Sequence, residues 1–451
     1  MAAAFPNSSL TSLPKPTSDH TPILLSLSTS IPKPNVFHFE NGWLKRRDFL
    51  PTILPAWQAA NGRDAAAMLV GSLKAVRGAS KAWARSKRAP PSLHLNRKFV
   101  IYLFDVLEEA HVLSAGETVL RQACRDRLAI SLRERAAYWK RRGKHCAIRE
   151  GDANTGFFHA HASQCMQHNQ IRALEIDGVL LSSHDAKTSA LTSHLRALLG
   201  SAVPTDTLDV EALYAGAMPV DQENLIAPFT EAEAKAAVRA MNCNSSPGPD
   251  GFGPGFYTTA WPAVACAVMN FAAEFHQGTA DLERLNRSYI VMLPKHGAAR
   301  SPGDYRAICL QNCSLKIASK MLTMRLQQGI PKLIDMDQTG FIHGRSISEN
   351  FIYAMELVQC RNQRKLSTLL LKLDFAKAFD YVDWGSLAAA MLAHGFPQNG
   401  ASGSPTSSPP PSSPSLSMGL QGRGSAANGG SARGALCPPI CSSWWPTFSS
   451  R

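Results

Sequence analysis

The sequence lacks the marks of several common protein classes. Its ten cysteines form no CxxC pair, and the closest spacings are Cys309/Cys313 and Cys437/Cys441. Disulfide scaffolds and structural zinc sites use closer or more regular cysteines, so we expect a reduced intracellular protein with no disulfide partner. No apolar run approaches the roughly 18 residues of a membrane-spanning helix, and we expect no membrane partner. No internal repeat is visible.

Acidic residues are fewer than basic ones. The chain has 34 Asp and Glu against 47 Lys and Arg, which gives a net charge of +13. Such a surplus suggests a polyanionic partner, most often nucleic acid, although basic solvated surfaces are also ordinary. The hydrophobic content of 45% excludes a wholly disordered chain, and the length of 451 residues allows two or three domains.

Composition divides the chain into four segments. We interpret residues 1–35, rich in Pro, Ser and Thr, as an extended remnant, and residues 36–225 as a helical basic connector. Residues 226–397 have the pattern of a mixed α/β (α+β) domain, whereas Gly, Pro, Ser and Ala dominate residues 398–451. Both termini are predicted to be disordered. Residues 1–35 contain no arginine, so a nuclear or cytoplasmic location is favoured over a plastid one.

Positive charge is densest between residues 121 and 150. Apolar residues recur there at helical spacing, so we expect the cations to coat the outer face of a helix. Two interpretations stay open: a solvated helix, or a strip that follows a phosphate backbone. The cations are Arg121, Arg125, Arg127, Arg133, Arg135, Lys140, Arg141, Arg142, Lys144 and Arg149.

Local patterns place a few elements in residues 226–397. Thr230 followed by Glu233 predicts a capping box at the start of a helix. Short apolar runs bounded by breakers predict buried strands at 289–293 and 369–375, with a helix at 315–326 between them.

The strand predicted at 369–375 places Asp374 at its carboxyl end. Nucleotidyl transfer uses carboxylates at such a sheet edge to hold Mg²⁺ ions about 3.5–4 Å apart. Taken alone, Asp374 is more often a helix N-cap, and Asp380 and Asp383 are interpreted as surface or capping residues.

The sequence motifs around Asp374 favour a metal ligand over a helix N-cap. LLLKLDFAKAFDYVDW lies at 369–384 and is preceded by QTGFIHGRSISEN at 338–350 and N..LKIASKMLTMRL at 312–326. Before these come LPK at 293–295 with DYRAICL at 304–310, and SSPGPDGFG at 245–253. In this order and spacing they resemble the reverse transcriptase domain of plant non-LTR (LINE-type) retrotransposons, over residues 229–397. REGDANTGFFHAHAS at 149–163 and FHFENGWLKRRDFL at 37–50 resemble the segment that joins endonuclease to polymerase in those elements.

The resemblance implies a fold, an activity and roles for residues. It implies the fingers and the first part of the palm of a right-hand polymerase, and RNA-directed DNA synthesis with Mg²⁺, an RNA template and a DNA primer. Asp374 would be the first metal carboxylate, assisted by the backbone carbonyl of Phe375. Lys295 and Arg306 would clamp the triphosphate, and Phe379 would be the sugar gate. The template-facing surface would be shaped by Gln338, Gly340, Phe341 and Arg345.

Three features depart from the family pattern. Ala307 stands where the family usually has proline, which removes no reacting group. Asp19 and His20, within SDHTP, resemble the closing motif of the element's endonuclease. Only 17 residues precede the SDHTP motif, too few to supply that enzyme's other metal ligands, so Asp19 and His20 are interpreted as a relic and no nuclease is expected.

The third departure concerns the second acidic motif. The family's aromatic-Ala-Asp-Asp turn occurs nowhere in the chain. One carboxylate cannot hold two Mg²⁺ ions, so we expect a truncated domain without polymerase activity, or alternatively a non-catalytic RNA- or DNA-binding protein. With permissible codons, residues 429–447 read in another frame give GLRQGSALSPYLFLLVADL, which resembles the missing segment. This suggests a frameshift near residues 398–400.

Overall fold

A computed structural model describes most of the chain up to residue 396. The described residues are 9–12, 23–26, 36–59, 62–87, 91–143, 161, 164–165, 168–200, 222–283, 285–340, 342–374 and 384–396. Helices predominate among them, with three separate two-stranded antiparallel sheets. In this part of the chain no helix is long and apolar enough to cross a membrane.

The N-terminal segment contains the first sheet. Strand β1 (Ser9–Ser12) pairs antiparallel with β2 (Ile23–Ser26). Because these residues pair as strands, the prediction of a disordered terminus is wrong at these positions. The interpretation of residues 1–35 as an extended remnant stays a prediction. Asp19 and His20 lie outside the described residues.

The described residues of the segment interpreted as a connector are mainly helical. Its one described sheet was not predicted: Asp177 and Gly178 have φ of 49° and 78°, a two-residue turn that joins two short strands. Asp-Gly favours such a turn because both of its positions need positive φ. The elements are α1 (Phe49–Ile53), α2 (Ala65–Ser86), α3 (Pro91–Ala110), α4 (Ala115–Gly143), β3 (Leu174–Ile176), β4 (Val179–Leu181) and α5 (His184–Gly200).

The rest of the described chain mixes helices with one hairpin. The predicted capping box is confirmed, because Thr230 Oγ1 accepts from the N–H of Glu233 while the Glu233 carboxylate accepts from the N–H of Thr230. The helix predicted at 315–326 is also confirmed. The elements are α6 (Gln222–Ile226), α7 (Glu231–Ala240), α8 (Pro254–His276), β5 (Ser288–Pro294), β6 (Tyr305–Gln311), α9 (Cys313–Leu333), α10 (Ile347–Gln363) and α11 (Trp384–Ala393).

One hydrophobic core includes residues from both sides of the boundary predicted at residue 225. It combines Phe39 and Leu69 of the connector with Phe256 of α8 and Leu315 of α9. The aromatic side chains contact directly: the Phe39 ring lies 5.4 Å from the Phe256 ring. The connector's first helices and the start of the polymerase-like segment therefore pack together.

Two of the strings found in the sequence dock against each other. The N–H of Phe39 donates to the carbonyl of Gly251 at 2.9 Å, and Asn41 Nδ2 donates to the carbonyl of Cys243 at 2.8 Å. Gly251 has φ of +84°, and a Cβ there would lie 2.5 Å from the carbonyl oxygen of Phe37. Only glycine fits this turn, since other residues rarely adopt positive φ and have no room for a side chain here.

Arg325 joins α9 to the start of α7. Its Nε and Nη2 donate to the two carboxylate oxygens of Glu233 at 2.7 and 2.9 Å. It also donates to the carbonyls of Ala227 and Pro228, and its guanidinium lies 4.4 Å from the Phe229 ring centre. The Arg325 side chain is 4% exposed. Hydrogen bonds from Arg325 lower the pKa of Glu233 to about 2.

We predict that Arg325→Met destabilises the fold. The Glu233 carboxylate and two carbonyls would lose their donor, and breaking a buried pair in this way costs about 3–5 kcal/mol. Chemical denaturation measures the loss in free energy of unfolding. Arg46→Met is the matched control, because Arg46 and Glu134 form an exposed pair at 3.0 Å that contributes at most about 1 kcal/mol. Equal losses in the two variants would contradict the prediction.

Candidate nucleic-acid interface

The β5–β6 hairpin has one covered face and one open face. Ile290, Met292 and Tyr305 are buried in a small core with Leu174 and Leu191. The strand predicted at 289–293 is therefore confirmed, but its residues alternate between buried and half-buried positions, so the strand is not buried on both faces as expected. The alternation arises because successive side chains of a strand point to opposite faces.

Lys295 and Arg306 lie on the open face of this hairpin. Arg306 is exposed and stands opposite Leu293 in the strand register. Lys295 follows β5 directly, and its N–H donates to the carbonyl of Asp304 at 2.8 Å, which extends the pairing by one residue. Leu293 and Lys295 are two residues apart and share a face, so the two cations are diagonal neighbours, about 7–8 Å apart at their Cα atoms. The structure thus brings together the two predicted phosphate-binding cations.

The connection between the strands is held by Asp304. Its carboxylate accepts from the backbone N–H of Arg300 at 3.0 Å and of Ser301 at 2.9 Å, and these bonds lower its pKa. Lys295 Nζ donates to the carbonyl of Gly303 at 2.6 Å. The cations are therefore presented from a turn whose backbone is already fixed, which reduces the entropy lost when an anion binds.

The predicted template-facing residues lie in the segment after α9. Arg345 is half-buried, and its guanidinium donates to the carbonyls of Ile334 at 3.2 Å, Asp335 at 2.5 Å and Gln338 at 2.7 Å. The Arg345 side chain therefore holds together the loop between α9 and α10. Gln338 and Gly340 are half-buried in the same loop, whereas Phe341 lies outside the described residues. Their contact with a template stays a prediction.

The strand predicted at 369–375 is not formed over residues 369–374. These residues have no regular secondary structure, and Leu369 and Leu371 are 92% and 73% exposed. A strand needs a hydrogen-bonded neighbour, and no described segment pairs with this one. Asp374 is exposed, and no hydrogen bond or ion pair joins it to the hairpin among the interactions of the described residues. Phe375 and Phe379 lie outside that set.

The described residues do not fit a pair of Mg²⁺ ions. Two such ions need several converging carboxylates, and no group of three or more His, Cys, Asp or Glu side chains is placed to hold a metal ion in the described ranges. Asp374 is one exposed carboxylate, so its role as a metal ligand stays a prediction.

Helix α4 uses part of its positive charge within the fold. Arg121 is buried, and it pairs with Asp105 at 3.2 Å and with Glu108 at 2.5 Å, both on α3. Arg125 also pairs with Asp105, at 2.8 Å. The expectation that the cations coat the outer face is therefore wrong for Arg121. Among the strip's cations whose side chains the structure describes, Arg127, Arg133 and Arg135 are exposed and remain open to an anionic partner.

Sequence reasoning missed a cavity beside the SSPGPDGFG loop. It has a volume of about 170 Å³ and is lined by the cations Lys74, Arg77 and Arg287 and by Asp250 and Asn312. Arg287 lies about 200 residues after Lys74 and Arg77, so no local spacing in the sequence points to this cavity. The only local signal was the Pro-Gly-Asp turn of the loop.

Asp250 is the buried acid of this cavity. Its Oδ1 accepts from the N–H of Phe252 at 2.9 Å, and its own N–H donates to Asn312 Oδ1 at 3.0 Å. Its Oδ2 is buried without a hydrogen-bond partner in the described part of the chain. Burial raises the pKa of Asp250 to about 7, against opposing effects from the Phe252 N–H, Lys316 and Arg77.

Comparison with known proteins shows what this region is similar to. Residues 293–409 match the family described as reverse transcriptase (RNA-dependent DNA polymerase). The matched range includes Lys295, Arg306 and Asp374. The chain thus contains a reverse transcriptase-like domain.

Its relatives are proteins of non-LTR retrotransposons. The uncharacterized 149 kDa protein of transposon TX1 from Xenopus laevis is 27% identical over 84% of this chain and 30% of its own length. The Pol polyprotein of element R1 from Bradysia coprophila is 25% identical over 48% of this chain and 21% of its own length. That of element R2DM from Drosophila melanogaster is 26% identical over 39% and 16%. The chain therefore spans less than a third of each relative.

We predict that Asp250 makes stability depend on pH near neutrality. Its folded pKa lies above the unfolded value of 3.8, so its protonated form is the one that the fold favours. Stability is therefore lost as pH rises toward 7, by about 1.4 kcal/mol per pH unit, and the loss levels off above the folded pKa. Asp250→Asn should remove this slope between about pH 5 and pH 7 in denaturant unfolding.

Asp304→Asn serves as the control for Asp250→Asn. The pKa of Asp304 is lowered, so its contribution changes only in acid, below its unfolded value. Its stability curve should run parallel to that of the original chain between about pH 5 and pH 7. Parallel curves for Asp250→Asn as well would contradict the assignment.

Proposed function

We propose that this chain is a reverse transcriptase-like protein, derived from a plant LINE-type retrotransposon, that binds nucleic acid but does not synthesise DNA. The observation that carries the proposal is the pair of exposed cations, Lys295 and Arg306, on a fixed hairpin inside the reverse transcriptase-matching region. The plant assignment rests on the motif order in the sequence.

The binding half of the proposal follows from charge and exposure. Two neighbouring cations on an open face attract the phosphates of a nucleic acid, and charge-assisted hydrogen bonds to phosphate are stronger than neutral ones. Lys295 Nζ donates one hydrogen bond to the Gly303 carbonyl, but within the described part of the chain no carboxylate pairs with Lys295 or Arg306, so neither charge is neutralised. The net charge of +13 adds long-range attraction.

The proposed lack of DNA synthesis rests on the sequence. Polymerase chemistry needs two metal ions held by carboxylates from separate motifs. Asp374 supplies the first motif, and no aromatic-Ala-Asp-Asp string follows it in these 451 residues. The coding DNA provides an independent check of the frameshift explanation, because it should encode the family's second motif in the alternative frame across residues 429–447.

We predict that the purified chain extends no primer on an RNA template. The assay contains Mg²⁺ and deoxynucleoside triphosphates, with an active reverse transcriptase in parallel to show that template and primer are competent. Asp374→Ala is the matched variant. Extension by the original chain that disappears in Asp374→Ala would contradict the proposed lack of synthesis and would place Asp374 in a working metal site.

We predict that the chain binds single-stranded RNA with an affinity that falls steeply with salt. Replacing Lys295 and Arg306 by Gln should reduce the slope of log affinity against log salt by about 1.4, since each phosphate contact on a single strand contributes about 0.7. Fluorescence anisotropy across a salt series measures it. Asp374→Ala should leave the affinity unchanged.

A second double variant tests the other basic surface. Arg127→Gln with Arg133→Gln removes two exposed cations of α4 while leaving the hairpin intact. A reduced slope in this variant alone would assign binding to α4 and contradict the role of the hairpin. Salt-independent affinity would contradict phosphate recognition altogether.

A further inference from the structure

Helix α3 has an apolar stripe that the described fold leaves uncovered. Leu95, Phe99, Tyr102 and Val106 are 66%, 63%, 66% and 43% exposed. Their spacing of four, three and four residues is that of a two-helix seam, in which apolar residues recur every 3.5 positions on average.

Helix α4 covers the other side of α3. Phe104 is 8% exposed, and it lies about 160–200° around the helix from Tyr102, Val106 and Leu95 at 100° per residue. The ion pairs of Arg121 with Asp105 and Glu108 fix α4 against that side. The stripe is therefore free to contact a second surface without disturbing the α3–α4 pair.

The charges beside the stripe indicate which partner and which orientation would fit it. Lys98 is exposed on one flank of the stripe, in the N-terminal half of α3. Asp105 and Glu109 are exposed on the same flank in the C-terminal half. Arg121 and Arg125 of the same copy both bind Asp105 Oδ1, and Arg121 also binds Glu108. With Glu109, this end still has three carboxylates against two guanidinium groups, so it stays negative. The other flank carries Leu103, which has no charge. If a second α3 runs antiparallel, each positive end lies beside the partner's negative end, and the two uncharged flanks meet. A parallel arrangement would place each charged flank against an uncharged one.

We propose that two copies of this chain associate through antiparallel α3 helices. The pairing places Phe99 of one copy beside Tyr102 of the other, and Leu95 beside Val106, around a twofold axis between positions 99 and 102. Lys98 then lies within reach of Asp105 of the second copy, and the reciprocal pair forms by symmetry. Knobs-into-holes packing of the stripe excludes water from the apolar side chains.

The size of the stripe sets the strength of the association. A helix of 20 residues is about 30 Å long, and a buried aromatic side chain covers about 150–250 Å². Two aromatic and two aliphatic residues from each copy give an interface at the small end of the range for specific complexes. We expect a reversible dimer with a dissociation constant on the order of micromolar.

The experiment measures mass against concentration. Sedimentation of the full chain from about 1 to 100 µM should show a shift from monomer to dimer. The variant Phe99→Gln with Tyr102→Gln should weaken dimerisation at least about tenfold, because these residues form the centre of the interface. Both side chains are exposed in the single chain, so the variant keeps its fold, and circular dichroism verifies this.

A matched control distinguishes a specific effect of the α3 stripe from nonspecific association of exposed apolar residues. Phe351 and Tyr353 on α10 are 66% and 64% exposed, which is nearly the same exposed fraction as that of Phe99 and Tyr102. Phe351→Gln with Tyr353→Gln should leave the dimer unchanged. A monomer at every concentration, or equal weakening by both double variants, would overturn the proposal. Capture of a different protein on α3 without self-association would overturn it as well.

Crosslinking tests the orientation. Leu95→Cys and Val106→Cys chains, mixed and oxidised, should form a disulfide between position 95 of one copy and position 106 of the other. Mass spectrometry of the joined peptides identifies it against the background of native thiols. Each variant alone should give much less crosslinking at its new cysteine. Efficient 95–95 and 106–106 crosslinks would indicate parallel helices and overturn the antiparallel proposal.

Discussion

The contact between Arg325 and Glu233 connects segments almost a hundred residues apart. Glu233 belongs to the capping box of α7, so the same carboxylate fixes the start of one helix and neutralises a cation buried on another. The carbonyls of Leu225, Ala227 and Pro228 accept from the remaining three N–H groups of the guanidinium. The large core packs on this junction, and helices α2, α7, α8 and α9 all contribute residues to that core. The hairpin that carries Lys295 and Arg306 leads directly into α9, so its position depends on where that helix is held.

Local chemistry in the sequence was enough to predict several elements. Thr230 and Glu233 predicted the start of α7, because a capping box involves only residues that are close in sequence. The short apolar run bounded by breakers at 289–293 predicted a strand. Its covered face could not be foreseen, since it is supplied by Leu174 and Leu191, about a hundred residues earlier in the chain. The string order likewise led to the reverse transcriptase family, which the comparison of residues 293–409 confirms.

Other features depended on partners that no local pattern encodes. Residues 369–374 have the composition of a buried strand, but a strand forms only beside another one, and the described chain offers none. Arg121 looked like one cation among ten, yet Asp105 and Glu108 on the neighbouring helix make it part of the fold. Asp250 lies in a turn that the sequence marks clearly, but its burial comes from α2 and from Asn312 at the start of α9.

The cysteines give this shared core a built-in chemical reporter. Cys313 is buried at the start of α9, and burial raises the pKa of its thiol far above the usual range. Cys243 and Cys266 are exposed. Alkylating reagents attack the thiolate, so they will modify the exposed sulfurs promptly and reach Cys313 only when the helices around it separate. The rate at which Cys313 is alkylated therefore measures how often the core opens in the native protein, without a denaturant and without an engineered label.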